Sequence, residues 1–140
     1  MKKIKKNKLA VGIIGLGVGL HHFKAFDNNP KTYVKYVCDL DNRKLDQFKN
    51  KNLRIKITNN SEEIFKDKDI KIVSIASFDE CHFDQIMKSI KNNKHIMVEK
   101  PLCLEKYQLK KINAAMSKKN LILSSNMVLR TNPRFNFIKK

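Results

Sequence analysis

The chain has 140 residues, of which 41% are hydrophobic and 31% are charged, a size and composition typical of one globular domain with a buried core. No apolar run is long enough to cross a bilayer, so we expect no membrane partner. The formal net charge of +17 comes from lysines spread along the chain, with few arginines. Since arginine is the better reader of bases and phosphates, we expect a solvated lysine surface and no nucleic-acid partner.

Residues 1–7 form a basic arm that we expect to be disordered. The arm and the apolar run behind it resemble the start of a secretory signal, but His21-His22-Phe23-Lys24 stands where a small-residue cleavage site would be needed. Three cysteines, Cys38, Cys81 and Cys103, lie far apart without a CxxC spacing. This pattern predicts a reducing, cytoplasmic location and argues against a structural zinc site.

A closely spaced set of glycines follows the first apolar run, Leu9–Ile14. A strand that ends in Gly15-Leu16-Gly17-Val18-Gly19 and leads into a helix can present backbone N–H groups to a phosphate. The third glycine of a GxGxxG pattern would fall at Leu20, whereas Gly19 comes one residue early. The turn therefore predicts pyrophosphate binding with a displaced third glycine.

Apolar runs and amphipathic segments alternate along the rest of the chain. We predict six strands, at residues 9–14, 32–38, 55–58, 70–76, 95–98 and 121–125. We predict helices at residues 20–26, 41–51, 83–92 and 104–119, and a further short helix that begins at Ser61. Asp41 and Ser61 are the predicted N-caps of the two helices that they begin. This alternation predicts a single-domain α/β fold, a doubly wound, mostly parallel Rossmann sheet with strand order 3-2-1-4-5-6.

The predicted strand ends carry the candidate chemistry. Asp39 comes about twenty residues after the glycines, where an acid can accept both ribose hydroxyls of NAD, although a simple helix-capping acid is the alternative. No basic residue follows Asp39 directly, which favours NAD over NADP, while Arg43 keeps NADP open. Lys100 could polarise a substrate oxygen, or it could be a surface lysine paired with Glu99.

The segments GIIGLGVGLHH, CDLD, SFDECH, VEKPLCLE and NMVLRTNPRF resemble the Gfo/Idh/MocA family of nicotinamide-dependent oxidoreductases, in family order from about residue 8 to 135. The resemblance implies a Rossmann domain followed by a mostly antiparallel α/β domain that supplies much of the substrate pocket. It also implies hydride transfer with a sugar-like or polyol-like small molecule. Phe78 stands where proline is usual in the family, and the glycines resemble a GxGxGxxH variant ending at His22.

The resemblance also implies roles for individual residues. Gly15, Gly17 and Gly19 would bind the pyrophosphate and Asp39 the adenosine ribose, while the segment with Ser77, Phe78 and His82 would line the cofactor. Glu99 would lie near the nicotinamide ribose. Lys100 would be the catalytic or substrate-orienting lysine, followed by a cis bond to Pro101. His21 and His22 are interpreted as first-turn helix residues, and His95 as a strand-edge residue. The implied cofactor-binding set is Gly15, Gly17, Val18, Gly19, Asp39, Ser77, Phe78, His82, Glu99 and Lys100.

By this interpretation residues 8–126 form the dinucleotide-binding domain and residues 127–140 begin a linker or second domain. The family's downstream Asp and His would lie in that second domain, so we expect no complete active site and no small-molecule substrate without it. Apolar residues near the end of the chain predict contact with a missing domain, a second copy or a partner chain. A stand-alone nucleotide-binding or regulatory module is the alternative function, and a nucleic-acid-binding protein is a third.

Overall fold

The protein is described here by a computed structural model that covers residues 8–49 and 54–134. The predicted basic arm, the predicted end of the second helix at residues 50–51, and residues 135–140 with the last apolar side chains lie outside the described residues. The described residues form the strands β1 (Leu9–Ile14), β2 (Thr32–Cys38), β3 (Lys56–Thr58), β4 (Ile70–Ile75), β5 (His95–Val98) and β6 (Leu123–Ser125). They also form the helices α1 (Gly19–Asn28), α2 (Asn42–Lys49), α3 (Glu62–Lys66), α4 (His82–Lys91) and α5 (Lys106–Met116), with 3-10 turns at Asp79–Cys81 and Val128–Thr131.

All strand pairs are parallel and the strand order is β3-β2-β1-β4-β5-β6, so the predicted Rossmann topology is confirmed. Ile14 at the end of β1 is in register with the last residues of both neighbouring strands, Cys38 of β2 and Ile75 of β4. Ile75 in turn is in register with Val98, the last residue of β5. The carboxyl ends of these four strands therefore lie at one level, and the segments that leave them meet at one edge.

Two apolar cores cover the two faces of the sheet. Val11 and Ile13 of β1 belong to the core that packs against α1 and α2, whereas Ala10 and Ile14 belong to the core beneath α3, α4 and α5. This alternation explains why β1 is apolar at almost every position, as expected for a parallel strand covered on both sides. Gly12 is required on the α3 face, because a Cβ there would overlap the side chain of Ile64.

Most element boundaries differ from the predictions by one to three residues, and the capping groups differ from the prediction at α3 and set the later start of α5. Ser61 was predicted to cap α3, but its backbone is already helical and its side chain makes no cap bond; Asn60 Oδ1 accepts the N–H of Glu62 at 3.0 Å instead. Helix α5 begins at Lys106 because Glu105 and Gln108 form a reciprocal capping box. None of the described helices is both long and apolar enough to cross a membrane.

Candidate functional site

The turn between β1 and α1 has a conformation that only glycine accommodates at its first position. Gly15 has φ +87°, and a Cβ at this position would overlap the carbonyl of Ala76, which follows β4. The Gly15 N–H donates to the carbonyl of Cys38 at 2.8 Å, and the Ala76 N–H donates to that of Ile14 at 2.8 Å. Backbone contacts thus join the ends of β1, β2 and β4 directly beneath the turn.

The outer part of the same turn is open. A Cβ built on Gly17 would meet no atom within 4 Å, in contrast to Gly15. Helix α1 begins at Gly19, and Val18 before it, which is 55% exposed, provides no side-chain cap. Since the first N–H groups of a helix need an acceptor, an uncapped N-terminus beside an open glycine is suited to a bound anion.

Asp39 connects the end of β2 to the glycine turn. Its Oδ2 accepts the backbone N–H of Leu16 at 2.7 Å, and its Oδ1 accepts the N–H of Asp41 at 2.9 Å. Leu16 is buried in the core, so this bond holds the turn between two anchored segments. The Asp39 carboxylate therefore has a structural role at the turn, whether or not a ribose also binds to it.

The cation beside Asp39 is Lys44, which the sequence did not indicate. Its Nζ lies 3.5 Å from Asp39 Oδ2. Arg43, which the sequence did indicate, is turned toward solvent, where its guanidinium donates to both Asp41 oxygens at 3.0 and 3.1 Å. This pair raises the pKa of Arg43 and lowers that of Asp41. Lys44 is one residue further into α2, on the side that faces the strand ends.

A cavity of about 220 Å³ lies between these strand ends, and we call it the strand-end cavity. Its wall brings together five of the predicted site residues: Gly15, Gly17, Asp39, Ser77 and Phe78. Val18, Gly19, His82, Glu99 and Lys100 are not part of this wall. Residues of the wall that the sequence did not single out as cofactor-binding are Ile14, Cys38, Leu40, Lys44, Asn59, Ser61, Ala76, Cys81 and Gln85.

The two cysteine thiols in this wall are not activated nucleophiles. Burial raises the pKa of the Cys38 thiol to about 12, with smaller contributions from Asp39 and Glu63. Burial and two nearby carboxylates also raise the pKa of the Cys81 thiol. A thiol must ionise to act as a nucleophile, so the cavity is suited to binding rather than to covalent cysteine chemistry.

His82 joins the segment after β4 to the segment after β5. Its ring has no exposed surface, and its Nδ1 lies 2.7 Å from the carbonyl of Pro101, while Nε2 lies 3.2 Å from the carbonyl of Ser77. The Ser77 hydroxyl donates to Gln85 of α4 at 2.7 Å. The Lys100–Pro101 bond is cis, as the resemblance implied. His82 thus contacts the backbone of both segments, the one after β4 and the one after β5, and presents no surface to a ligand.

Glu99, directly after β5, accepts hydrogen bonds from three directions. Its Oε1 accepts from Asn126 Nδ2 at 2.6 Å and from His22 Nε2 at 2.8 Å, and its Oε2 lies 3.3 Å from the backbone nitrogen of Lys100. Burial alone would favour the neutral carboxyl, but the bonds from Asn126 and His22 outweigh it and hold the pKa of Glu99 below its usual 4.5. The Glu99 side chain is therefore an ionised, fixed acceptor.

The sequence interpretation placed His22 in the first turn of a helix, and the structure adds burial and two partners for its ring. His22 does lie in the first turn of α1, but it is only 4% exposed, and its Nδ1 lies 2.8 Å from the hydroxyl of Ser74. His21 beside it is exposed. His95 begins β5 and accepts the N–H of Ile122 through its Nδ1 at 3.1 Å, consistent with a strand-edge role.

Lys100 is exposed, and its backbone, not its ammonium group, contacts Glu99. Within the part of the chain that the structure describes, the Lys100 ammonium makes no ion pair. The alternative interpretation, a surface lysine paired with Glu99, therefore does not describe this geometry. Lys100 itself comes two residues after the end of β5, at the carboxyl edge of the sheet.

A family model described as "Oxidoreductase family, NAD-binding Rossmann fold" matches residues 9–127. Inositol 2-dehydrogenase from Salmonella typhimurium is 29% identical over 102 residues, which cover 69% of this chain and 30% of that protein. Trans-1,2-dihydrobenzene-1,2-diol dehydrogenase from Xenopus laevis is 32% identical over 62 residues, which cover 44% of this chain and 19% of that protein. The chain thus spans less than a third of the length of these curated relatives.

Solved structures show the same fold. Scyllo-inositol dehydrogenase from Lactobacillus casei, with bound NAD(H) and scyllo-inositol, superposes with a TM-score of 0.85 at 21% identity, over 94% of this chain and 40% of that chain. A 3-ketoreductase from Actinomadura kijaniata, in complex with TDP-benzene and NADP, superposes with a TM-score of 0.82 at 19% identity, over 94% of this chain and 42% of that chain.

The depressed pKa of Glu99 predicts a pH dependence of folding stability. Because the folded-state pKa lies below the unfolded value near 4.5, the ionised carboxylate contributes stability above that pH, and this contribution is lost as the pH falls through the folded-state pKa. The Glu99→Gln variant lacks this titration, so its free energy of unfolding should decline less steeply than that of the wild type between about pH 5 and pH 3. Urea unfolding at a series of pH values measures the difference.

Glu80→Gln is the matched control for this experiment, because Glu80 is an exposed glutamate and its loss changes the net charge equally. The Glu80→Gln variant should follow the wild-type pH profile. Parallel profiles for the wild type and Glu99→Gln would contradict the assignment of Glu99 as a stabilised carboxylate.

Proposed function

Because the chain belongs to the Gfo/Idh/MocA oxidoreductase family, we propose that residues 8–126 bind NAD across the carboxyl edge of the sheet and serve as the dinucleotide-binding half of a dehydrogenase. The observation that carries this proposal is the contrast between two glycines. Gly15 has no room for a Cβ because the backbone that follows β4 packs against it, whereas Gly17 faces open space at an uncapped helix N-terminus. A pyrophosphate could approach the Gly17 backbone there without displacing any protein atom.

The adenosine side of the dinucleotide would occupy the strand-end cavity. The volume of about 220 Å³ is below the range of about 300–1,000 Å³ typical of pockets for whole drug-sized ligands, so it suits one part of a dinucleotide. Asp39 in the cavity wall is the acceptor we assign to the ribose hydroxyls. The backbone of Gly15, Gly17, Val18 and Gly19 would then hold the pyrophosphate.

The nicotinamide side would lie between the ends of β4 and β5. Ser77 and Phe78 border it on one side, and Glu99 and Lys100 on the other; His82 contributes by holding the Ser77 and Pro101 carbonyls. Bound NAD would supply hydride chemistry. The Lys100 ammonium, free of an ion pair within the described residues, would polarise the substrate oxygen or exchange a proton with it.

A substrate of the sugar or polyol class is consistent with the names of the relatives, two of which are inositol dehydrogenases. Residues 127–140 would begin the connection to a second domain that completes the substrate pocket. The exposure of Met127 (45%) and Leu129 (58%) supports a covering domain or partner chain at this position. The same observation supports the second candidate, a nucleotide-binding module that docks on a partner chain. The free, widely spaced thiols are consistent with the reducing cytoplasm.

A methyl group at Gly17 should weaken dinucleotide binding without weakening the fold. Gly17→Ala places a Cβ in space that is empty in the protein, so the free energy of unfolding should change by less than about 0.5 kcal/mol. NADH affinity should fall about tenfold or more, because the methyl group occupies the path of the pyrophosphate. NADH fluorescence titration and urea unfolding of the same samples measure both quantities.

Two outcomes would contradict the proposed function. Folded wild-type protein that does not bind millimolar NADH would contradict dinucleotide binding altogether. A Gly17→Ala variant with wild-type NADH affinity would contradict the position of the pyrophosphate.

We propose that the Asp39 carboxylate makes the site prefer NAD, because it would repel the 2′-phosphate of NADP. We expect the Lys44 ammonium to reduce this preference, because it would attract the same phosphate. Lys44 lies 3.5 Å from Asp39, so Lys44→Ala should lower NADPH affinity about tenfold, as the loss of one hydrogen bond to a charged group implies. NADH affinity should stay the same or rise. Dissociation constants for both dinucleotides give the ratio.

Arg43→Ala is the control, because the Arg43 side chain is engaged with Asp41 and 90% exposed. Its NADH-to-NADPH ratio should stay within about twofold of the wild type. The assignment of Lys44 fails if the ratio shifts in Arg43→Ala and not in Lys44→Ala.

A further inference from the structure

His22 is buried beside the open helix N-terminus and connects two neighbouring strands. It is three residues after Gly19, and its two ring nitrogens contact Ser74 of β4 and Glu99 after β5. Ser74 has no exposed surface, so the ring occupies a fixed position between the glycine turn and the end of the sheet that carries Glu99. A solvent-exposed first-turn histidine, such as His21 beside it, would make no such bridge.

The partners of the His22 ring determine where its proton lies. The Glu99 carboxylate can only accept, so His22 Nε2 must donate to it. In the neutral ring the Nδ1 atom is then an acceptor, and the Ser74 hydroxyl supplies the hydrogen. The hydrogen bonds therefore run without a gap from the Ser74 hydroxyl through the His22 ring to Glu99 Oε1.

The two oxygens of Glu99 are used unequally. Oε1 accepts from both His22 and Asn126, at 2.8 and 2.6 Å, whereas Oε2 has only the long 3.3 Å contact with the Lys100 backbone. Asn126 follows β6, so Glu99 is held from the α1 side and from the β6 side at the same oxygen. A carboxylate oxygen accepts about two hydrogen bonds, which leaves Oε2 with capacity for a further donor.

We propose that His22, Ser74 and Asn126 position the Glu99 carboxylate so that Oε2 accepts hydroxyl hydrogens of the nicotinamide ribose. This inference rests on the proposed function. The strand order supports it, because Asp39 follows β2 and Glu99 follows β5, on opposite sides of the glycine turn after β1. With a pyrophosphate at that turn, one ribose of a dinucleotide lies on each side. His22 is thus a positioning residue and does not itself contact the ligand.

Three ligands separate this role from a general role in folding. ADP lacks the nicotinamide ribose, ADP-ribose contains that ribose without the nicotinamide, and NADH contains both. The His22→Asn variant should bind NADH and ADP-ribose about tenfold more weakly, because the shorter amide cannot reach Glu99. Its affinity for ADP should stay within about twofold of the wild type. Isothermal titration calorimetry of the full chain measures all three ligands.

His22→Gln should recover most of the lost affinity, because its amide nitrogen extends to the position of Nε2 and can donate to Glu99. His21→Asn is the matched control at the exposed neighbouring histidine, and it should bind all three ligands like the wild type. Asn126→Ala removes the other donor to Glu99 Oε1 from a half-exposed position. This variant should bind NADH and ADP-ribose about three- to fivefold more weakly than the wild type, again with unchanged affinity for ADP.

An equal loss of ADP affinity in His22→Asn would overturn the proposal, because it would show that His22 supports the glycine turn as a whole. Unchanged NADH affinity in a folded His22→Asn variant would overturn it as well. If that variant does not fold, Asn126→Ala decides, and equal effects on ADP and ADP-ribose reject the positioning role. A wild-type protein that binds none of the three ligands contradicts the proposed function instead.

Discussion

The close approach of Gly15 to the Ala76 carbonyl is the constraint on which the rest of the site depends. It requires a left-handed backbone at Gly15 and brings the ends of β1 and β4 together, while the Gly15 N–H binds the end of β2. Once these three strand ends are joined, the turn must project beyond the sheet, with Gly17 outward and α1 starting immediately behind it. The open, uncapped helix N-terminus, to which we assign the pyrophosphate, is therefore a consequence of backbone packing.

The charged and hydrogen-bonding groups differ between the β2 side and the β5 side of this turn. On the β2 side, Asp39 is partly neutralised by Lys44 and lines a cavity suited to an uncharged sugar and base. On the β5 side, one oxygen of Glu99 accepts from both His22 and Asn126, and the neighbouring Lys100 is exposed. The β2 side thus presents a carboxylate with a cation beside it, whereas the β5 side presents a carboxylate held by two donors and followed by an exposed lysine.

Local sequence patterns were sufficient for the strand order and for the residues at the strand ends. Apolar runs followed by Gly15, Asp39 or Glu99 indicate where strands stop, and the carboxyl ends of parallel strands share one edge. The partners of those residues could not be predicted, because contacts such as His22 with Ser74, or Glu99 with Asn126, join segments far apart in the chain. The sequence indicated Arg43 as the cation near Asp39. The folded backbone instead pairs Arg43 with Asp41 and leaves Lys44 beside Asp39, and these side-chain directions are not visible in the sequence.

A crystal structure of this chain with NADH would locate each part of the dinucleotide relative to the glycine turn. We expect the pyrophosphate to lie against the backbone N–H groups around Gly17, with the adenosine ribose hydroxyls within hydrogen-bond distance of Asp39 and the nicotinamide ribose beside Glu99. Density for NADH anywhere other than across the ends of β1, β2 and β4, or an adenosine outside the strand-end cavity, would contradict dinucleotide binding at the glycine turn.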